Sequence, residues 1–128
     1  MKKLTKELKV VVDAIQDKKG RRIRVVDLRK TGYSLTNYMV ICEGGTPNQV
    51  SAITRSVGDK MRETLREYPL AVDGTRNNLW VAMDYADVIV HIFVPDCREF
   101  YDIDNLWEDA AHMDVPDVDA VAPDMVSD

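Results

Sequence analysis

Three groups of residues in this chain of 128 have types and spacings that could do chemistry. The first is Gly44-Gly45-Thr46, lying between an apolar run and Pro47. A helix that starts there would offer backbone N–H groups to a phosphate, and Asp84 and Asp87 could hold Mg²⁺ beside it. That set would serve nucleotidyl transfer, an Mg-nucleotide enzyme. Two features weigh against it. The carboxylates stand at i and i+3 across Tyr85-Ala86, where a turn is expected, rather than at i and i+2 on one strand face. No lysine follows the glycines, so this is not a P-loop.

The second group is Cys42, Cys97, His91 and His112, whose spacing matches no metal site. No metal and no cofactor is expected. Both cysteines read as free thiols of a reducing cytosol. Cys97 stands beside Arg98, yet an incidental thiol is the simplest account of it. His91 falls inside an apolar run and reads as a hydrogen-bonded core or interface residue.

The third group is aromatic. The stretch 79–109 holds both tryptophans, both phenylalanines and one of the two histidines. Rings at that density belong to a core, an interface, or both. Trp80 is in phase with Ala82 and Asp84, so an indole and a carboxylate share a strand face. With Tyr85 they make the candidate interface patch, because Trp and Tyr often dominate binding energy. Phe100, Tyr101, Leu106 and Trp107 stand at near-helical spacing, which is expected to pin the last helix to the sheet.

The elements that must position these residues follow from periodicity. Leu4, Leu8, Val11, Val12 and Ile15 form one stripe of a helix over 4–19. Strands are expected over 22–28, as an edge or half-buried strand, and over 37–42, more central. Thr46 as N-cap and Pro47 at the first helical position open a long helix that buries Val50, Ile53, Val57, Met61 and Leu65 and ends near Tyr68-Pro69. A short edge strand over 70–73 precedes strands over 79–85 and 88–94, the last apolar on both faces and hence central. One or two short helical segments fill 96–110. The expected fold is α/β (α+β): one mixed five-stranded sheet with packed helices, in the order α-β-β-α-β-β-β-α.

A hydrophobic fraction of 45% and a charged fraction of 30% suit an ordinary soluble domain, here 1–110. No run approaches a membrane span, and the basic start lacks the apolar core of a secretory signal, so a cytoplasmic protein with no membrane partner is expected. Net charge is −5, unevenly spread: positions 99–128 carry ten acidic residues and no basic one. The remainder is mildly basic, which fits a partner close to RNA. Residues 111–128, with two prolines and no periodicity, are expected to form an acidic disordered tail.

The motifs Asp27-Leu28, Tyr38-Met39-Val40-Ile41, Gln49-Val50, Trp80-Val81, Asp84-Tyr85, Asp87-Val88, Val90-His91, Arg98, Phe100-Tyr101 and Leu106-Trp107 occur in the order seen in ribosomal silencing factors. Over roughly 4–110 the chain resembles that family, also called RsfS or Iojap-like proteins. The resemblance implies a non-enzymatic translation factor with a nucleotidyltransferase-like fold that lacks an active site. It implies binding to the large ribosomal subunit at the ribosomal protein numbered fourteen and a block on subunit joining when nutrients are scarce. No direct DNA contact is implied. The partner-binding residues it points to are Trp80, Asp84, Tyr85 and His91, with Arg98 and Tyr101 as further candidates. A homodimer through the same aromatic surface is an additional expectation.

Overall fold

The structure, a computed structural model, describes residues 3–33 and 35–118. Helix α1 (Lys6–Asp17) begins where Thr5 Oγ1 accepts the Leu8 N–H at 3.2 Å, and it buries Leu8, Val11, Val12, Ala14 and Ile15. Helix α2 (Pro47–Leu65) is capped in the same way by Thr46 and buries Val50, Ile53, Ser56, Val57 and Met61. It stops at Arg66, which turns into the left-handed region at φ 57°. The two helices lie side by side, tied by Ser56 Oγ donating to the Ala14 carbonyl at 2.8 Å.

Beneath them is one sheet of six strands: β1 (Arg21–Asp27), β2 (Tyr38–Glu43), β3 (Ala71–Asp73), β4 (Trp80–Asp84), β5 (Val88–Phe93) and β6 (Ala111–Val115), in the order β3-β4-β5-β2-β1-β6. Among the described residues only β2 and β5 run parallel, and every other pairing is antiparallel. Helix α2 carries the chain from β2 to the far edge, and β3, β4 and β5 return strand by strand to β2's side. Helices α3 (Pro95–Tyr101) and α4 (Ile103–Leu106) then cross the opposite face.

The mixed α/β sheet and the central place of β5 match the sequence expectation. The strand count does not: six rather than five. Residues 111–115, expected to be disordered, form β6, which pairs antiparallel with β1 from Ile23↔Val115 to Asp27↔Ala111. β1 is therefore an interior strand rather than an edge. Alternation is present in 111–115, with Met113 and Val115 half-buried and His112 and Asp114 exposed. The strand forms because β1 supplies a partner, which no local pattern reveals. The rest of the expected tail, 119–128, lies outside the described residues.

Strand alternation splits the core in two. Ile23, Val25, Tyr38, Val40, Val81, Met83, Tyr85, Val88, Val90 and Ile92 pack with the residues of α1 and α2. Val26, Leu28, Met39, Ile41 and Phe93 form a smaller cluster on the other face, roofed by Tyr33, Ile103 and Trp107. That second roof stops short of β3 and β4.

Candidate functional site

The uncovered part of the second face is where the aromatic residues gather. In β4, residues 81 and 83, with Tyr85 just beyond the strand end, point toward the helices, which leaves Trp80, Ala82 and Asp84 on the other side. Their cross-strand neighbours in β5 are Phe93, His91 and Ile89 respectively. Trp80 is the hub. Its ring stacks on Phe93 at 4.9 Å between centroids and lies 4.7 Å from Tyr101 and 5.8 Å from His91. Its Nε1–H donates to His91 Nδ1 at 3.0 Å. An Nδ1 that accepts leaves the imidazole proton on Nε2. Burial pushes the His91 pKa down to about 4, so the ring is neutral near pH 7 and keeps this bond.

Tyr101, 51% exposed, extends the surface onto α3, and Phe100, 80% exposed, meets the Tyr101 ring edge-on at 5.0 Å. Asp84 closes the other end. Its Oδ1 accepts the Ala86 N–H at 2.8 Å and so braces a turn in which Ala86 takes φ 71°, a left-handed conformation that few side chains adopt unaided. The result is a strip of Phe100, Tyr101, Trp80, Ala82 and Ile89, ended by a carboxylate, with His91 buried beside Trp80.

Four of the six residues expected to meet a partner, Trp80, Asp84, His91 and Tyr101, lie along this one face, Trp80, His91 and Tyr101 in ring contact and Asp84 at its far end. The other two are placed elsewhere. Tyr85 is 5% exposed and belongs to the helix-side core, with a buried hydroxyl that finds no partner among the described residues. Burial, with Glu67 and Glu7 nearby, pushes its phenol up to about 12. Strand parity already opposes residues 80 and 85, so this separation was readable. Arg98 is 4% exposed. Its Nε and Nη2 donate to Asp104 at 3.0 and 2.8 Å, and its Nη1 donates to the Arg22 carbonyl at 2.6 Å. Burial works against the ionised Asp104 carboxyl, yet the guanidinium holds it below the usual carboxylate range. Arg98 thus clamps α3 and α4 to β1.

Phe100 and Leu106, expected to pin the last helix, are exposed. The helical stretch breaks at Asp102, φ 49°, so residues 100 and 107 do not share one helix face. Trp107 does pack inward, its ring 4.9 Å from Tyr33.

The residues of the nucleotidyl-transfer alternative are not assembled. Gly44 follows the end of β2 where Glu43 pairs with Phe93, whereas Asp84 pairs with Ile89, whose β2 partner is Met39. Four residues of strand, about 13 Å, separate those levels. Two of the donors at the start of α2 are already used: Gly45 N–H donates to Gln49 Oε1 at 2.7 Å and Gln49 N–H to Thr46 Oγ1 at 3.1 Å. A side chain at position 44 would press on the Val50 nitrogen at 2.9 Å, so that glycine serves the close approach of strand end and helix. Among the described residues no cluster of His, Cys, Asp or Glu could hold a metal ion, and no helix is long and apolar enough to cross a membrane.

Comparison with known proteins gives one family. Residues 1–127 match the family described as ribosomal silencing factor during starvation. A Bacillus subtilis protein named ribosomal silencing factor RsfS is 35% identical over 109 residues, covering 84% of this chain and 90% of its own length. The maize protein named Iojap, chloroplastic, is 30% identical over 106 residues, covering 80% of this chain and 44% of its own. A crystal structure of a Chromobacterium violaceum protein superposes with a TM-score of 0.77 at 31% identity, covering 83% of this chain and 87% of that one.

Proposed function

Because the chain belongs to the ribosomal silencing factor family, we propose that it docks on the large ribosomal subunit and, by its bulk, prevents the small subunit from joining. Translation then falls when nutrients are limiting. The observation that carries this reading is the uncovered strip on β4, β5 and α3, an aromatic centre with a charged end on a sheet whose other face is packed by α1 and α2. Stable interfaces have that composition, aromatic at the core and polar at the rim. The partner surface is the large-subunit ribosomal protein numbered fourteen, met by Trp80, Asp84 and Tyr101, with His91, itself buried, holding the Trp80 ring in place. Arg98 and Tyr85 act from behind: the first holds α3 in place and the second packs β4 on the helices.

The test is sucrose-gradient cosedimentation of the purified protein with large subunits, followed by addition of small subunits. The native chain travels with large subunits and lowers the yield of joined ribosomes. Trp80→Glu abolishes both effects. Since Trp80 also rests on buried Phe93, Ala82→Glu, on the same face with less packing to lose, is the second variant. Folded forms of both that still travel with large subunits would sink the reading. The same strip suits a second copy of the chain when no ribosome is present; sedimentation velocity over a range of concentrations reads this directly, and a monomer throughout removes it.

A further inference from the structure

The densest positive charge in the chain is KKGRRIR, residues 18–24, where five of seven side chains are basic and none is acidic. It runs from the end of α1 into β1, and two strands, β5 and β2, separate it from Trp80's strand. Lys18, Lys19, Arg21 and Arg22 are exposed and Arg24 is half-buried. The pairing of β1 with β2 is irregular between Arg21 and Arg24, and Arg22 sits at φ 50°. Bulges of this kind re-aim side chains, and here Arg22 reaches Glu43 at 2.6 Å. A short, exposed, lysine- and arginine-rich run is the electrostatic footprint expected for a polyanionic partner.

The structure already places an anion on this strip. Asp114 takes the Arg24 guanidinium two-fold, Nε donating to Oδ1 at 2.7 Å and Nη2 to Oδ2 at 3.2 Å. Asp117 accepts from Arg21 Nε at 3.3 Å and from the Arg22 backbone N–H at 2.8 Å. Two-point pairing with a guanidinium is what a phosphodiester also offers. These carboxylates come from the most acidic part of the chain, with ten acidic and no basic residues over 99–128. They sit on or just beyond an edge strand whose Ala111, His112 and Asp114 are exposed. Exposed ion pairs contribute little to stability, so the effect of Asp114 and Asp117 falls mainly on what else can reach the arginines.

We infer that residues 18–24 form a docking strip for the phosphate backbone of RNA, and that Asp114 and Asp117 occupy its arginines as a built-in competitor. The choice of RNA rests on the ribosomal reading above, which brings RNA within reach of this edge. The strip and its carboxylates do not depend on that reading. RNA that displaces the two carboxylates takes their place on Arg21 and on Arg24, which also lies 3.9 Å from Asp104, and adds Lys18 and Lys19. Binding is therefore weak in the native chain and stronger once the competitor is removed.

The test is a fluorescence-anisotropy titration of a labelled single-stranded RNA oligonucleotide with the full chain, free of ribosomes. The D114N/D117N variant is expected to bind about tenfold tighter than the native chain, with a salt slope steeper by about 1 to 1.5, as expected for up to two added phosphate contacts on a single strand. K18Q/K19Q, whose altered side chains lie outside the β6 ion pairs, is expected to bind more weakly than the native chain. Circular dichroism reports whether each variant is folded; if D114N/D117N is not, the lysine variant decides. RNA affinity unchanged in folded D114N/D117N, or unchanged in K18Q/K19Q, overturns the inference. So does a polyglutamate peptide that competes as well as unlabelled RNA, which would make the partner an acidic protein. In any of these outcomes, cosedimentation with large subunits still stands or falls separately on Trp80.

Discussion

The two faces of the sheet are made by alternate residues of the same strands, yet they meet different ends. The face toward α1 and α2 is mostly apolar and roofed over its central strands, with Leu8, Ile15, Ile53, Val81, Val90 and Ile92 inaccessible to solvent. The opposite face is roofed over β1 and β2 by α3, α4 and the loop carrying Tyr33, and left open over β3, β4 and part of β5. Where the roof ends, the rings begin. One face is spent on stability, and the other is divided between stability and contact. A residue's role here follows from which face and which half it occupies more than from its type: Trp80 and Tyr85 are five positions apart and differ completely in what they can touch.

Breaking the roofed face should give the largest effect. Ile53→Ala removes a fully buried side chain at the junction of helices and sheet, and urea unfolding should show a loss of about 3–4 kcal/mol. A loss below about 1 kcal/mol would mean that the helix face is looser than its burial indicates.

A smaller effect is expected at the boundary between roofed and open halves. His91 has a folded pKa of about 4 against a usual 6.5 because it is buried. Between those values the unfolded chain binds a proton that the folded chain refuses. Stability therefore falls as pH drops from 6.5 toward 4, with roughly 2–3 kcal/mol coming from this one group. His91→Asn keeps an acceptor for the Trp80 N–H and removes the titration. Its unfolding free energy should lose that part of the pH slope, and an unchanged slope would place the effect in other groups.

The smallest effect on folding is expected on the open side. Phe100→Ser should shift stability by no more than about 0.5 kcal/mol, since the ring is 80% exposed. The same variant should travel less completely with large subunits. If it unfolds readily instead, the ring supports α3 and the open strip ends at Tyr101.

Much of this arrangement can be read from residue order. The stripes of α1 and α2, the Thr46 cap and the two-sided burial of β5 follow from local periodicity, and the structure repeats them. So does the pairing of Trp80, Ala82 and Asp84 on one strand face, and the same rule would have set Tyr85 apart. What escapes a linear reading depends on distant partners. β6 has two sizeable apolar side chains in five residues and exists because β1 offers it an edge. Arg98 looks like a surface cation until Asp104 and the Arg22 carbonyl are brought to it. Phe100 looks like a buried helix residue until the break at Asp102 turns the chain.

The pairing of β1 with β6 has a consequence for the newly made chain. Arg24 is synthesised ninety residues before the carboxylate it pairs with. Through most of synthesis, β1's outer edge is a row of unpaired backbone groups of the kind that recruits strands from neighbouring nascent chains. Charged side chains blunt such edges, and Arg21, Arg22 and Arg24 are placed to do so. The arginines that later meet β6 thus keep partly made copies from joining one another.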